Sequence, residues 1–208
     1  MKLPVSLANS KEWTLVGPMG PQVPEGLLAH SLLCVDGGAR FCSKMDLWIG
    51  DGDSYQGTVD CENIYRLSPN KLASDLAVGL SLFESSGSIV LHCWGFLGGR
   101  KDHEMLNLGE VLRFLERSPG SEVRFYQRNG KIAVKCFGSG EWAINYNGTF
   151  SLACIKAVKI KLQGACLYPL VNETELEPLS SLGLSNIASG DCFLNTKGPL
   201  MVFFPDMD

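Results

Sequence analysis

The stretch Asp46-Leu47-Trp48-Ile49-Gly50-Asp51-Gly52-Asp53-Ser54 joins a short apolar run to two aspartates set among glycines. An apolar run without alternation, closed by glycine, is how a strand buried on both faces of a parallel sheet reads. Two aspartates one residue apart at the carboxyl end of such a strand can face one crevice. Oxygen ligands of that kind suit a hard cation such as magnesium, which also carries substrate phosphates. The same residues equally make a tight acidic turn.

The neighbouring segments repeat the pattern. Residues 13–16 and 31–35 are short apolar runs followed by glycine-rich breaks, the second opening into Asp36-Gly37-Gly38-Ala39. Residues 74–85 read as a helix with Leu76, Leu80 and Phe83 on one stripe, and residues 88–94 return to strand. Residues 102–117 read as a second helix, ended by Ser118-Pro119-Gly120. Its Met105, Leu108, Leu112 and Leu115 are spaced three and four apart for burial on one side. Strands alternating with helices predict an α/β domain with ligand loops at the carboxyl ends of the strands.

After about residue 120 the texture changes. Strand-like pieces follow at 122–126, 132–137, 142–146, 149–154, 158–162 and 200–204, separated by turn signals such as Arg128-Asn129-Gly130 and Asn147-Gly148. The expected organisation is an α/β domain over 1–120, followed by a small all-β sandwich over 121–208. A β-domain of that size gains from packing on the first half or on a second subunit.

Composition narrows the classes. The 208 residues are 45% apolar and 19% charged, an ordinary globular balance. A net charge of -4 argues against a nucleic-acid partner, which would ask for a basic face. No run approaches the roughly 20 apolar residues of a membrane span. Met1 to Lys11 lacks the apolar core of a secretory leader. The eight cysteines include no Cys-x-x-Cys pair, and several lie in apolar runs, as Cys34 does. A cytoplasmic protein with free thiols is expected, without nucleic acid or membrane.

Two more loops carry chemistry. In Lys71-Leu72-Ala73-Ser74-Asp75, Ser74 can cap the coming helix and Asp75 falls in its first turn. That is a plain cap, or a metal carboxylate beside a phosphate-holding lysine. In Gly98-Gly99-Arg100-Lys101-Asp102-His103, the glycines let a ligand approach the backbone and Arg100 offers a donor fork for phosphate. The glycines do not follow the Walker pattern. Nothing marks a nucleophile elbow for a triad using His103, and His30 and His92 read as packing or surface residues.

These loops, in this order, resemble those of thiamin pyrophosphokinases: D-G-G-A at Asp36 to Ala39, G-D-x-D-S at Gly50 to Ser54, K/Q-D-x-T/S-D at Lys71 to Asp75 and G-G-R-x-D-H at Gly98 to His103. The tail is similar too, through Gly148-Thr149-Phe150-Ser151-Leu152, Tyr168-Pro169-Leu170 and Ser185-Asn186. The departures are Gly52 for a phenylalanine, Lys101 for an aromatic residue and Leu72 for the first aspartate of the third motif. The resemblance implies a Rossmann-like domain followed by a β-sandwich, in a homodimer. It implies transfer of a diphosphate from ATP to thiamin with Mg2+ held by Asp51, Asp53 and Asp75. Asp102 and Arg100 would complete the catalytic set. Asp36, Gly37, Gly38, Ser54, Lys71, Ser74, Gly98 and Gly99 would hold the nucleotide. Tyr168, Ser185 and Asn186 would meet thiamin, in a site shared between subunits. A diphosphokinase for another hydroxymethyl heterocycle such as a pterin, or a non-catalytic binding homologue, is the alternative.

Overall fold

The computed structural model describes residues 2–53, 55 and 57–205. Its centre is a parallel sheet. β1 (Glu12–Val16), β2 (Ser31–Val35), β3 (Leu47–Gly50) and β4 (Asn63–Arg66) run outward on one side of β1. β5 (Val90–Trp94) and β6 (Glu122–Tyr126) lie on the other side, all in parallel register. The strand order therefore reverses between β1 and β5, the place where open α/β sheets bind ligands at their carboxyl ends.

Alternate residues explain why these runs are apolar throughout. Trp13, Leu15, Leu33, Ile49, Leu91 and Phe125 face one cluster with the helices α2 (Asp75–Ser81) and α3 (Lys101–Arg117). Val16, Cys34, Trp48 and Trp94 face the other side, under the single turn α1 (Glu25–Leu28) and a 3-10 turn at Asp36–Phe41. Both faces are covered, and the polar residues buried there are hydrogen-bonded, Thr14 Oγ1 to Leu27 O at 2.8 Å and His92 to Glu12 and Tyr126.

α2 starts where the sequence predicts, with Ser74 Oγ accepting from the Ala77 N–H at 3.1 Å. It stops at Ser81, short of the expected 85, because the next backbone bonds close one residue sooner: Leu82 N–H to Gly79 O and Phe83 N–H to Leu80 O. α3 buries Val111, Leu112, Phe114 and Leu115, but Met105, read as part of the buried stripe, is exposed. It lines a groove with Ile155, Leu179 and Phe203.

The sheet does not stop at residue 120. β6, read with the β-rich tail, is the last parallel strand, and β7 (Ile132–Phe137) pairs antiparallel to it. Beyond β7 lie β12 (Leu200–Phe203), β8 (Gly140–Ala153), β11 (Asn186–Thr196), β9 (Val158–Cys166) and β10 (Leu170–Leu176), making twelve strands in one order. The architecture is thus a mixed α/β fold with one large sheet and few helices. β8 corrects another expectation. The pieces 142–146 and 149–154 form one strand, and Asn147-Gly148 is no turn. Gly148 holds φ at +134°, which lets β8 pair with β11 over its first eleven residues and with β12 at its end. β7 to β12 share a second apolar cluster around Phe150, Ile160, Leu194 and Val202. The eight cysteines are free, with Cys34, Cys93 and Cys154 buried. Among the described residues no helix is long and apolar enough to cross a membrane.

Candidate active site

The loops after β1, β2, β3 and β5 lean on one another at the carboxyl edge. Gly38 touches β1 so closely that a Cβ there would stand 1.9 Å from the Val16 carbonyl oxygen. Gly17 donates its N–H to Trp94 O at 2.7 Å, and Met19 to Gly95 O at 2.9 Å, which zips the loops after β1 and β5 together.

Asp36 follows β2 with φ at +44°, a conformation uncommon outside glycine, though aspartate tolerates it better than most residues. Its backbone carbonyl accepts from Trp48 Nε1 at 3.1 Å. Its side chain is 6% exposed, and Oδ1 is buried without a hydrogen-bond partner. Asp51, one residue beyond β3, and Asp75, in the first turn of α2, meet it there. One oxygen from each of Asp36, Asp51 and Asp75 lies within 4.8 Å of the other two.

Asp53 is not in that set. The chain turns at Gly52, φ +82°, so the Asp53 backbone N–H points back to Asp51 Oδ1 at 3.1 Å while its side chain is exposed. The pairing of Asp51 with Asp53 assumed extended backbone, whereas β3 ends at Gly50. Asp36, read as a nucleotide-loop residue, takes the third place instead.

Lys71 crosses the cluster, with Nζ 2.5 Å from Asp51 Oδ2 and 3.2 Å from Asp75 Oδ1. The Lys71 hydrogen bond holds the Asp51 carboxyl below its usual range. Burial pushes Asp75 the other way, upward, against the pull of the same lysine. Burial also works to lower Lys71, but the two carboxylates outweigh it and its pKa is raised. An oxygen-only donor set in which two buried carboxylate oxygens, Asp36 Oδ1 and Asp75 Oδ1, accept no hydrogen bond fits a hard divalent cation.

The loop after β5 is arranged differently. Gly98 and Gly99 donate their N–H groups to Glu104 Oε1 at 2.5 and 3.1 Å, so a side chain of α3 fills the glycine cradle. Nothing in the spacing of Glu104 announces this. Arg100 and Asp102 form a forked pair, Nε to Oδ1 at 3.1 Å and Nη2 to Oδ2 at 2.5 Å, both largely exposed. The guanidinium brings the Asp102 carboxyl down to about 2.

Tyr168 and Asn186 meet on the β-rich half, while Ser185 contacts Ser151. The buried Asn186 amide accepts from the Tyr168 N–H at 3.0 Å and donates to the Tyr168 carbonyl at 2.8 Å. The Tyr168 side chain is exposed, and the Ser185 N–H bonds Ser151 Oγ at 3.0 Å. Gly37 and Gly38 are buried in the 3-10 turn, Ser74 is spent as a cap, and Ser54 lies outside the described residues.

No protein-family model and no curated sequence matches this chain, but solved structures do. The fold is similar to that of a thiamine pyrophosphokinase from Bacillus subtilis, with TM-score 0.72 and 18% identity over 95% of this chain and 100% of that one. It is similar to a thiamin pyrophosphokinase from Candida albicans, with TM-score 0.69 and 15% identity over 97% and 90%. The yeast thiamin pyrophosphokinase is matched at TM-score 0.62 and 14% identity, over 97% and 89%.

Proposed function

We propose that this protein transfers a diphosphate from ATP to thiamin, giving thiamin diphosphate and AMP. The observation that carries the reading is the meeting of Asp36, Asp51 and Asp75 at the carboxyl edge of a sheet. That sheet belongs to a fold similar, along nearly its whole length, to thiamin pyrophosphokinases.

In this reading the α/β half is a Rossmann-like nucleotide-binding domain and the strands beyond β6 form the sandwich that receives thiamin. Asp36, Asp51 and Asp75 hold Mg2+, with Asp53 fixing Asp51 through its backbone. When bound, the cation neutralises charge developing on the transferred phosphoryl groups. The thiamin hydroxyl attacks the β-phosphorus in line, and AMP leaves. Arg100 turns its fork from Asp102 to the polyphosphate, and the freed Asp102 accepts the hydroxyl proton. Tyr168 and Ser185 line the thiamin pocket, with Asn186 bracing the Tyr168 backbone. The β-rich half exposes Leu167, Tyr168, Leu182, Leu184 and Ile187, an apolar face that a second copy covers in the homodimer. Free thiols accord with a cytoplasmic location.

The test is AMP release from ATP and magnesium with thiamin, or with a hydroxymethyl pterin, as acceptor. Thiamin-dependent AMP supports the proposal. Release with the pterin alone assigns another acceptor, and nucleotide binding without AMP release makes the chain a non-catalytic homologue.

A further inference from the structure

Between Asp51 and Asp75 the protein already carries a cation of its own. The side chains of Lys71, Asp51 and Asp75 are 18%, 8% and 21% exposed, so this is a partly buried contact rather than a surface pair. We propose that Lys71 is the resident counter-ion of the carboxylate cluster, and that a divalent cation enters by exchange with its ammonium, which is released toward the phosphates of the arriving nucleotide. The proposal rests on the magnesium reading given above.

The exchange follows from space and charge. Oxygens that all lie within 4.8 Å of one another enclose room for one small cation. A magnesium ion sits about 2.0–2.1 Å from its oxygen ligands, so an ammonium left on those same oxygens would lie in repulsive contact with it. Without any cation, three carboxylates would face each other, one of them the orphaned Asp36. Lys71 relieves that repulsion and must leave when a stronger cation arrives.

The chain permits the move. Lys71 precedes the Ser74 cap and is outside α2, with its backbone N–H on Ser68 O at 3.1 Å. Its neighbour Leu72 is wholly exposed, so no apolar packing pins this side of the loop. A lysine has a flexible four-carbon stem and a compact charge that can change partners. Divalent cation alone must displace the ammonium into water. With nucleotide present the displaced ammonium finds phosphate, so the two ligands favour each other.

Binding of Mn2+, measured from the paramagnetic signal of the free ion, tests this without turnover. Wild type, Lys71→Met and Lys71→Gln are compared, each with and without a non-hydrolysable ATP analogue. Both variants are expected to bind Mn2+ about tenfold tighter than wild type without nucleotide, a difference of roughly 1.4 kcal/mol. The gain that the analogue confers on wild type should shrink by a similar factor. Unchanged or weaker Mn2+ binding in a folded variant of either kind overturns the exchange and leaves the carboxylate site standing. Absence of Mn2+ binding in all three proteins, with or without analogue, removes the cation site itself and the exchange with it.

Discussion

Gly50 stands so close to Asp36 that a β-carbon on it would lie 2.9 Å from both the Cα and the Cβ of Asp36. The end of β3 thereby fixes the left-handed turn that aims the Asp36 carboxylate. Gly50→Ala forces an overpacked contact against backbone, which costs about 1–3 kcal/mol. A lower melting temperature and weakened Mn2+ binding are expected. Gly109→Ala, in α3 where a Cβ meets nothing, is the control. It should raise stability, since glycine in a helix interior costs roughly 0.5–1 kcal/mol against alanine. Intact Mn2+ affinity in Gly50→Ala would show that Asp36 is not held by this contact.

Leu72 replaces an aspartate in the motif that the sequence resembles, and its spacing from Leu76 and Leu80 would also suit packing beneath the helix. The side chain does neither. It is 105% exposed. Leu72→Asp should therefore change stability by no more than about 0.5 kcal/mol, as exposed substitutions do, and leave Mn2+ affinity essentially unchanged. A melting scan and a Mn2+ titration on the same variant check both. A large gain in affinity would mean that the loop closes inward when the ion binds.

Acid sensitivity should come from a network away from the carboxyl edge. His92 Nε2 lies 2.8 Å from Glu12 Oε1 and Nδ1 2.7 Å from the Tyr126 hydroxyl. Burial holds His92 below its ordinary 6.5, with the Glu12 bond partly opposing it. The unfolded chain therefore takes up this proton first, and stability falls as pH drops below about 6.5. Glu12 is held below its usual 4.5 by the His92 bond, and its contribution is lost at still lower pH. The melting temperature should decline from pH 7 to 5, and decline less in His92→Gln. Parallel curves for the two proteins would exclude His92 as the cause.

In the strands, legibility followed burial on both faces. β1, β2, β3 and β5 read directly because helices or turns cover each side of them. β10 did not, since Val171, Asn172 and Glu173 are exposed at a sheet edge. In β11 the inward residues include the small Ala188 and Cys192, while Ile187 and Phe193 face outward, so the alternation is blurred. At the site, the order of the acidic loops was readable. The place of Asp36 was not, because it depends on a positive φ that only the surrounding contacts impose.

Gly148 misled in the same way, since Asn-Gly signals a turn when read locally. Its φ of +134° inside β8 is a conformation that a side chain rarely adopts. Gly148→Ala should cost about 1–3 kcal/mol, seen as a drop in melting temperature with the fold retained by circular dichroism. An unaffected melting temperature would mean that β8 can straighten at no cost.

β6 has β5 on one side and β7 on the other, and this limits how modular the protein can be. Cutting where the composition changes, at residue 120, would take β6 away with the tail and leave the backbone of β5 bare along a row holding Leu91 and Cys93. Such an edge recruits other chains, so the α/β half would aggregate rather than stand alone. The tail would in turn carry an orphan strand shaped for a sheet it had lost. Recombination can exchange the loops of this protein, but not its halves.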